Sequence, residues 1–364
     1  MRRLLFLGVH GRDRSPSQRY RFEQFEPALA EAGFEIDYAG ALTIQEAEVF
    51  YGPHGARDKA RIAAKALARR LWSLAPPPLR PRFDLVFVQR EAFFLFGAWG
   101  EWLAHLEAPV VFDFDDAIWI HTVSEENRRF AFLKNVDKTR DIARVAHTVL
   151  AGNEHLAAWA RRYNDRVRVV PTCVDTDRWT PGAPRDRGAP VTIGWSGSPS
   201  TVAHLRLALP ALLRVQERLG ARVRFRVMGD PGFRHERLGI VGERWSPEAE
   251  IPFLQALDIG LMPLPDDDWA QGKCGLKALT SMACGAAIVM SPVGVNPEIA
   301  EHGVSGFLPR TEDDWVAALT RLVEDPALRE AVARRGRERV VEAYSVARWR
   351  GPLVELLTSA ARRS

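Results

Sequence analysis

The sequence predicts an α/β protein made of two doubly wound, Rossmann-like domains, and three observations carry that prediction. Short apolar runs alternate with helical stretches from one end of the chain to the other. The alternation breaks once, at "DTDRWTPGAPRDRGAP" (175–190), rich in Pro, Gly and charge and without any period. At 364 residues, with 46% apolar and 26% charged side chains, the chain exceeds one usual core and is too apolar for disorder. The expected division is an N-terminal domain over 1–175, a linker over 176–190, a C-terminal domain over 191–345 and a last helix over 346–364 that packs back on the first domain.

Each element has its own justification. "RLLFLGV" (3–9) reads as a buried strand, followed by a polar loop and a helix from about Gln18 to Ala32 that stops at Gly33. "FEIDYAG" supplies a second strand. A basic helix follows and ends at a proline run, after which come "FDLVFVQ", a helix over 91–106, "PVVFDFDD", further helical sequence, "HTVLAGN", another helix and "VRVVPT". Beyond the break the pattern restarts with "VTIGWSG", a helix over about 201–218, "RVRFRVMGD", a short helix before "DIGLMPL", a helix near 276 and "AAIVMSP". Parallel sheets covered on both faces bind their ligands beyond the carboxyl ends of the strands, and two such domains would face each other across a cleft.

Several function classes lose support at this stage. No apolar stretch approaches the roughly 20 residues that cross a bilayer. The basic, apolar start "MRRLLFLGVHGRD" lacks a small-residue cleavage site and reads as a strand. Cys173, Cys274 and Cys284 are an odd, scattered set with no CxxC spacing, which argues against a disulfide framework or a zinc centre and favours a cytoplasmic location. The histidines show no HxxxH or HExxH spacing, so a zinc hydrolase is unsupported. The net charge of +4 is unevenly laid out, because residues 57–82 hold eight Arg or Lys against the single acid Asp58. There Arg57, Arg61, Lys65 and Arg69 fall four apart, while Ala60, Ala63, Leu67, Leu71 and Leu74 form the other helical face. Such a helix over 57–74 suits an anionic membrane at the inner face of the cell or an anionic acceptor; the alternative is a solvated face. Nucleic acid is not expected, since no aromatic and basic interleaving accompanies the stripe.

"MACGAAIVMSPVGVNPEIAEHGVSGFL", "VVPTCVDTDRWTP" and "GWSGSPSTVAHL", in that order and spacing, resemble the retaining GT-B glycosyltransferases of group 1, or glycosyltransferase family 4. The resemblance covers nearly the whole chain. It implies a nucleotide-diphosphate sugar as donor substrate on the C-terminal domain, an acceptor that is a saccharide, a lipid-linked sugar or a small molecule on the N-terminal domain, and transfer with retained anomeric configuration. Two departures stand out. The family's helix carries two glutamates eight positions apart, where this chain has Gly272 and Thr280, and the basic pair that the family places after the first strand of the second domain is missing from "SGSPSTVAH".

Lys273 and Lys277 flank the start of the helix near 276, so two ammonium groups can approach a diphosphate that already faces the N–H groups of Gly275 and Leu276. They would replace the missing basic pair and stabilise the charge that develops on the leaving oxygens, with no metal and no other cofactor. Two surface lysines are the alternative. Gly197 and Ser198 resemble the family's donor-diphosphate turn, with Ser200 as a helix cap in the plainer reading. Gly229 and Asp230 resemble the turn that borders the nucleobase, and Glu298 the glutamate near the donor sugar; a turn cap at Asp230 and a capping box from Asn296 are the alternatives. "DFDDA" places Asp113, Asp115 and Asp116 at a strand end. Asp115 or Asp116 would bind or help deprotonate an acceptor hydroxyl, cap a helix, or hold a divalent ion. Arg12, Arg14, Arg19 and Arg21 surround a helix entrance suited to a phosphate, or lie in solvent. A sugar-nucleotide isomerase of the 2-epimerase type and a non-catalytic nucleotide-sugar binding protein are the competing functions.

Overall fold

The computed structural model describes residues 1–52, 54–95, 97–120, 137–183 and 188–361. It divides into two units, Met1–Thr172 with Trp349–Ser364, and Cys173–Arg348.

The first unit is built on six parallel strands, β1 (Arg2–Gly8), β2 (Phe34–Gly40), β3 (Leu85–Gln89), β4 (Val110–Phe114), β5 (Thr148–Ala151) and β6 (Val167–Val169), in the order β2-β1-β3-β4-β5-β6. Strands β3, β4 and β5 are buried throughout, as apolar strands covered on both faces must be. Leu5, Leu7, Val86, Val88 and Val110 pack into one layer of the core. The single helix expected from Gln18 to Ala32 is instead three short pieces, Pro16–Arg21, the 3₁₀ turn Glu23–Phe25 and Glu26–Glu31. Pro27 has no N–H to continue the ladder and is tolerated only in the first turn of a new helix. The helix expected over 91–106 begins only at Trp99, after an irregular stretch in which the buried Glu101 accepts a bond from the Ala92 N–H. The helical sequence expected after β4 is described from Lys138 to Val145; residues 121–136 lie outside the described residues.

The second unit has four parallel strands, β7 (Val191–Ser196), β8 (Val223–Met228), β11 (Ile259–Met262) and β12 (Ala287–Met290), in the order β12-β11-β7-β8. A two-residue ribbon, β9 (Arg234–His235) against β10 (Ile240–Val241), follows β8. The helix Val202–Leu219 presents Val202, Leu205, Ala208, Leu212 and Val215 to the sheet, an apolar stripe at helical spacing. Each unit is thus a parallel, Rossmann-like sheet with helices.

The expected linker behaves differently from a free connector. Residues from Cys173 onward cluster with the second unit. Arg337 donates to the backbone carbonyls of Thr176, Trp179 and Ala283, Gln255 holds the Thr180 carbonyl, and Val174 bridges to Ser345. Buried Trp179 completes this anchorage. Proline and glycine mark a loop but do not reveal that a distant arginine will pin it. At the other end the helix Val346–Ala360 starts in the second unit and, from Trp349 on, clusters with the first.

Candidate functional site

In an open parallel sheet the strand order reverses at one point, and the loops leaving the strands there splay apart to form a crevice. In the second unit that point lies between β7 and β11. The loop after β7 is held against the end of β8 by the Gly197 N–H, which donates to the Met228 carbonyl at 3.0 Å. Glycine is required on both sides. Gly229 has φ +113°, and a Cβ there would fall 1.9 Å from the Gly197 carbonyl oxygen, while a Cβ on Gly197 would meet the Trp195 ring at 2.1 Å. Ser198, not Ser200, caps the following 3₁₀ turn, in a reciprocal box with Thr201.

The loop after β11 carries the short helix Asp268–Gln271, then Lys273, then Gly275 at φ +73° as the cap of the helix Leu276–Ala283. A side chain at Gly275 would strike Ile299, so only glycine lets the helix start this close to its neighbour. Lys277 Nζ lies 5.8 Å from the Trp195 ring centroid and Lys273 Nζ lies 4.7 Å from that of Trp269. His204, in the first turn of Val202–Leu219, sits within electrostatic reach of both. Burial, and then the charges of Lys277 and Lys273, push its imidazole below the ordinary value. Lys277 thus lies by Trp195 of β7, and His204 lies within electrostatic reach of Lys277, Lys273 and Asp267. The sequence reading passed over His204 because it counted only Arg and Lys after β7; its signal was a histidine in the first turn of the helix that follows the glycine turn.

Other expected donor residues lie elsewhere or are occupied. Thr280 is buried, and its hydroxyl donates back to the Leu276 and Lys277 carbonyls of its own helix. It takes up space where the family carries an acid. Asp230 closes a turn by accepting from the Gly232 N–H. Glu298 is exposed in the one-turn helix Asn296–Ile299, and no capping box forms, because the N-cap is Val295 and Asn296, buried with its amide donating to the Ser291 carbonyl, is already inside the helix.

The first unit reverses between β1 and β3. There the expected arginine cradle does not assemble. Arg12 pairs with Glu26 at 2.5 Å, Arg14 is exposed, Arg19 is buried with its guanidinium 5.2 Å from the Tyr20 ring centroid, and Arg21 points into the core. Arg21 grips Asp113 through two nitrogens and also donates to the Val170 carbonyl, with both side chains about 1% exposed. The helix starts at Pro16 and turns Arg19 and Arg21 inward, which charge counting does not register. A groove of about 440 Å³ runs beside Arg12, Glu23, Glu26, Phe34 and Ile36, on the outer strand β2 and away from the reversal.

Asp115 and Asp116 are likewise not isolated carboxylates. Both pair with Arg90, the residue after β3, whose backbone is held at φ +63° and whose N–H donates to the Asp113 carbonyl. The pair aims a guanidinium at the carboxyl edge of the sheet. Next to it Glu91 binds Lys138, and His10 is fixed by Gln18, which accepts from its N–H and donates to its carbonyl. Burial, and then Arg90, push the His10 imidazole below its ordinary value, so it is neutral at pH 7 and can accept a hydrogen bond or a proton. His10 and Arg90 escaped the sequence reading. The available signal was a basic residue directly after a fully buried strand, opposite an acidic triplet. Among the described residues no three His, Cys, Asp or Glu side chains are grouped as metal ligands, and no helix is long and apolar enough to cross a membrane. The three cysteines are buried, and no disulfide joins them.

The two glycine turns, Lys277, Lys273 and His204 thus lie by the strand reversal of the second unit. The sequence profile of the group 1 glycosyl transferases matches residues 190–325, a span that contains Gly197, His204, Gly229, Lys273 and Lys277. D-inositol 3-phosphate glycosyltransferase from Corynebacterium jeikeium (strain K411) is 29% identical over 195 residues, 46% of this chain and 45% of that protein. The protein of the same name from Saccharomonospora viridis is 31% identical over 202 residues, 48% and 46% of the two chains. The match thus spans about half the length of these curated relatives. Among solved structures, sucrose-phosphate synthase from Thermosynechococcus elongatus superposes with a TM-score of 0.68 at 16% identity, covering 99% of this chain and 100% of that one. Anabaena Alr3699/HepE in complex with UDP and glucose gives 0.64 at 14%, with the same coverage.

Proposed function

We propose that the protein is a glycosyltransferase that moves a sugar from a nucleotide-diphosphate sugar to an acceptor hydroxyl, with retained anomeric configuration and without a metal. The observation that supports this reading is Lys277 beside Trp195 at the end of β7, with His204 within electrostatic reach of Lys277 and of Lys273 on the neighbouring loop. When the bond from the anomeric carbon to the diphosphate breaks, negative charge grows on the leaving oxygen. Fixed cations stabilise that charge more in the transition state than in the bound donor. The acceptor proton then passes to the departing phosphate while the acceptor oxygen bonds to the anomeric carbon.

On this reading the acceptor belongs to the first unit, where Arg90 and His10 offer an anion and a hydroxyl their partners. The likeness to D-inositol 3-phosphate glycosyltransferases supports a phosphorylated polyol as the first acceptor to test, and a lipid-linked sugar is the second. A thermal-shift panel of nucleotide sugars identifies the donor, because a ligand bound only by the native state raises the midpoint. Turnover is then followed with the product's anomeric configuration read by NMR. Activity is expected to survive excess chelator; loss that manganese restores would transfer the leaving-group role to a cation. Binding without turnover on any acceptor would leave a nucleotide-sugar binding protein, and release of an epimerised free sugar an isomerase.

His204 gives a pH signature. In the free protein its lowered pKa keeps it neutral at pH 7, and a diphosphate placed beside it raises that pKa again. Binding therefore takes up a proton, and affinity for UDP-glucose, the probe suggested by the HepE structures, is expected to rise as pH falls from 8 to about 6. Calorimetry in buffers of different ionisation enthalpy reads the uptake directly. An unchanged uptake in His204→Asn would remove His204 from the site.

A further inference from the structure

We propose that the outer face of the helix Ala56–Ser73, with the turn that follows it, is a docking surface for an anionic lipid bilayer. The inner face is firmly seated. Ile62, Ala66, Arg70 and Ser73 are buried, and Arg70 donates to the carbonyls of Gly8 and Ala39 at 2.7 and 3.1 Å. The expected fourth cation of the stripe is taken up here too, since Arg69 binds Glu46 and the Ala41 carbonyl. Arg57, Arg61 and Lys65 remain exposed, and none of the ion pairs among the described residues uses them.

The structure corrects the expected apolar face in a way that bears on function. Leu71 does not pack inward. It is 49% exposed, its neighbour Trp72 is 59% exposed, and Leu79, in the turn beyond the helix, is 64% exposed. At 3.6 residues per turn, Arg57, Arg61, Lys65, Leu71 and Trp72 fall within about one third of the helix circumference, opposite the buried residues. The exposed alanines Ala60, Ala64 and Ala68 lie among them, so no bulky side chain holds the backbone off a flat surface. Cations along one length of the face, with Leu71 and Trp72 at its end and Leu79 exposed in the turn beyond, match the two layers of a membrane surface: acidic headgroups, then the boundary where tryptophan prefers to sit.

The alternatives fit less well. A second copy related by a two-fold axis would set one row of cations against another. A nucleic acid would satisfy the charges but leave Leu71 and Leu79 against a polar backbone.

The full-length protein is mixed with phosphatidylglycerol vesicles, with phosphatidylcholine vesicles and with no lipid, and sedimentation is followed as salt rises. Binding to the anionic vesicles alone, at low salt, is expected. Each charge contributes about fivefold, so Arg57→Gln/Arg61→Gln/Lys65→Gln should weaken binding about a hundredfold. Leu71→Ser/Trp72→Ser should keep the first, salt-sensitive encounter but lose the fraction that resists salt. Both variants should keep the wild-type melting temperature and nucleotide-sugar binding, which separates this surface from the donor site. No sedimentation of the wild-type protein with phosphatidylglycerol, equal binding to both lipids, undiminished binding of the triple variant, or concentration-dependent dimerisation abolished by Trp72→Ser would each overturn the proposal.

Discussion

Lys277→Ala and Lys273→Ala are each expected to lower turnover about ten- to a hundredfold. On the proposed function each would remove a charge-assisted contact to the departing diphosphate worth about 1.5 to 3 kcal/mol. The loss should fall mainly on kcat, because the contact strengthens as the leaving oxygen gains charge. Lys277 should matter more. Its ammonium lies by the Trp195 ring, which itself abuts the Gly197 turn, whereas Lys273 lies by Trp269 on the neighbouring loop. The double variant should lose less than the product of the two single losses if both lysines touch the same phosphates. Wild-type kinetics in both single variants would remove the lysines from the chemistry.

Asp113→Ala is expected to destabilise the first unit by about 3 to 5 kcal/mol, because it leaves the Arg21 guanidinium buried without its carboxylate. In a unit of this size that is a fall in melting temperature of about 6 to 20 °C. The control is Arg21→Met/Asp113→Leu, which removes both charges and should recover most of the loss, since a buried pair is often no better than apolar side chains of similar volume. Asp116→Asn, at the partly exposed pair with Arg90, should leave the melting temperature nearly unchanged. Equal melting of Asp113→Ala and wild type would mean that the pair carries no stability.

How far the sequence could be read depended on whether an interaction is local. Apolar period and glycine placement are local, so the strands Arg2–Gly8 and Ala287–Met290, the helix after Thr201 and the turns at Gly197, Gly229 and Gly275 were all legible. Side-chain direction is not. Nothing within a few residues of Arg21 announces Asp113, which lies 92 positions away, or the Val170 carbonyl, 149 away. The same holds for Arg90 with the acids of "DFDDA" and for Arg337 with the Thr176 carbonyl. Charged residues near a loop were therefore credited to a ligand when three-dimensional neighbours had already claimed them.

The helix Val346–Ala360 has a consequence for how the protein is made. The second unit, Cys173–Arg348, is continuous in sequence, but the first is not, since its last segment is translated only after the whole second unit. Leu353 and Leu357, both buried, are translated only after the whole second unit. The later unit can thus complete its fold during synthesis, while the earlier one waits, part of its apolar surface open to chaperones and to aggregation. Stop codons shortly before Trp349 would strand the half of the molecule that was synthesised first.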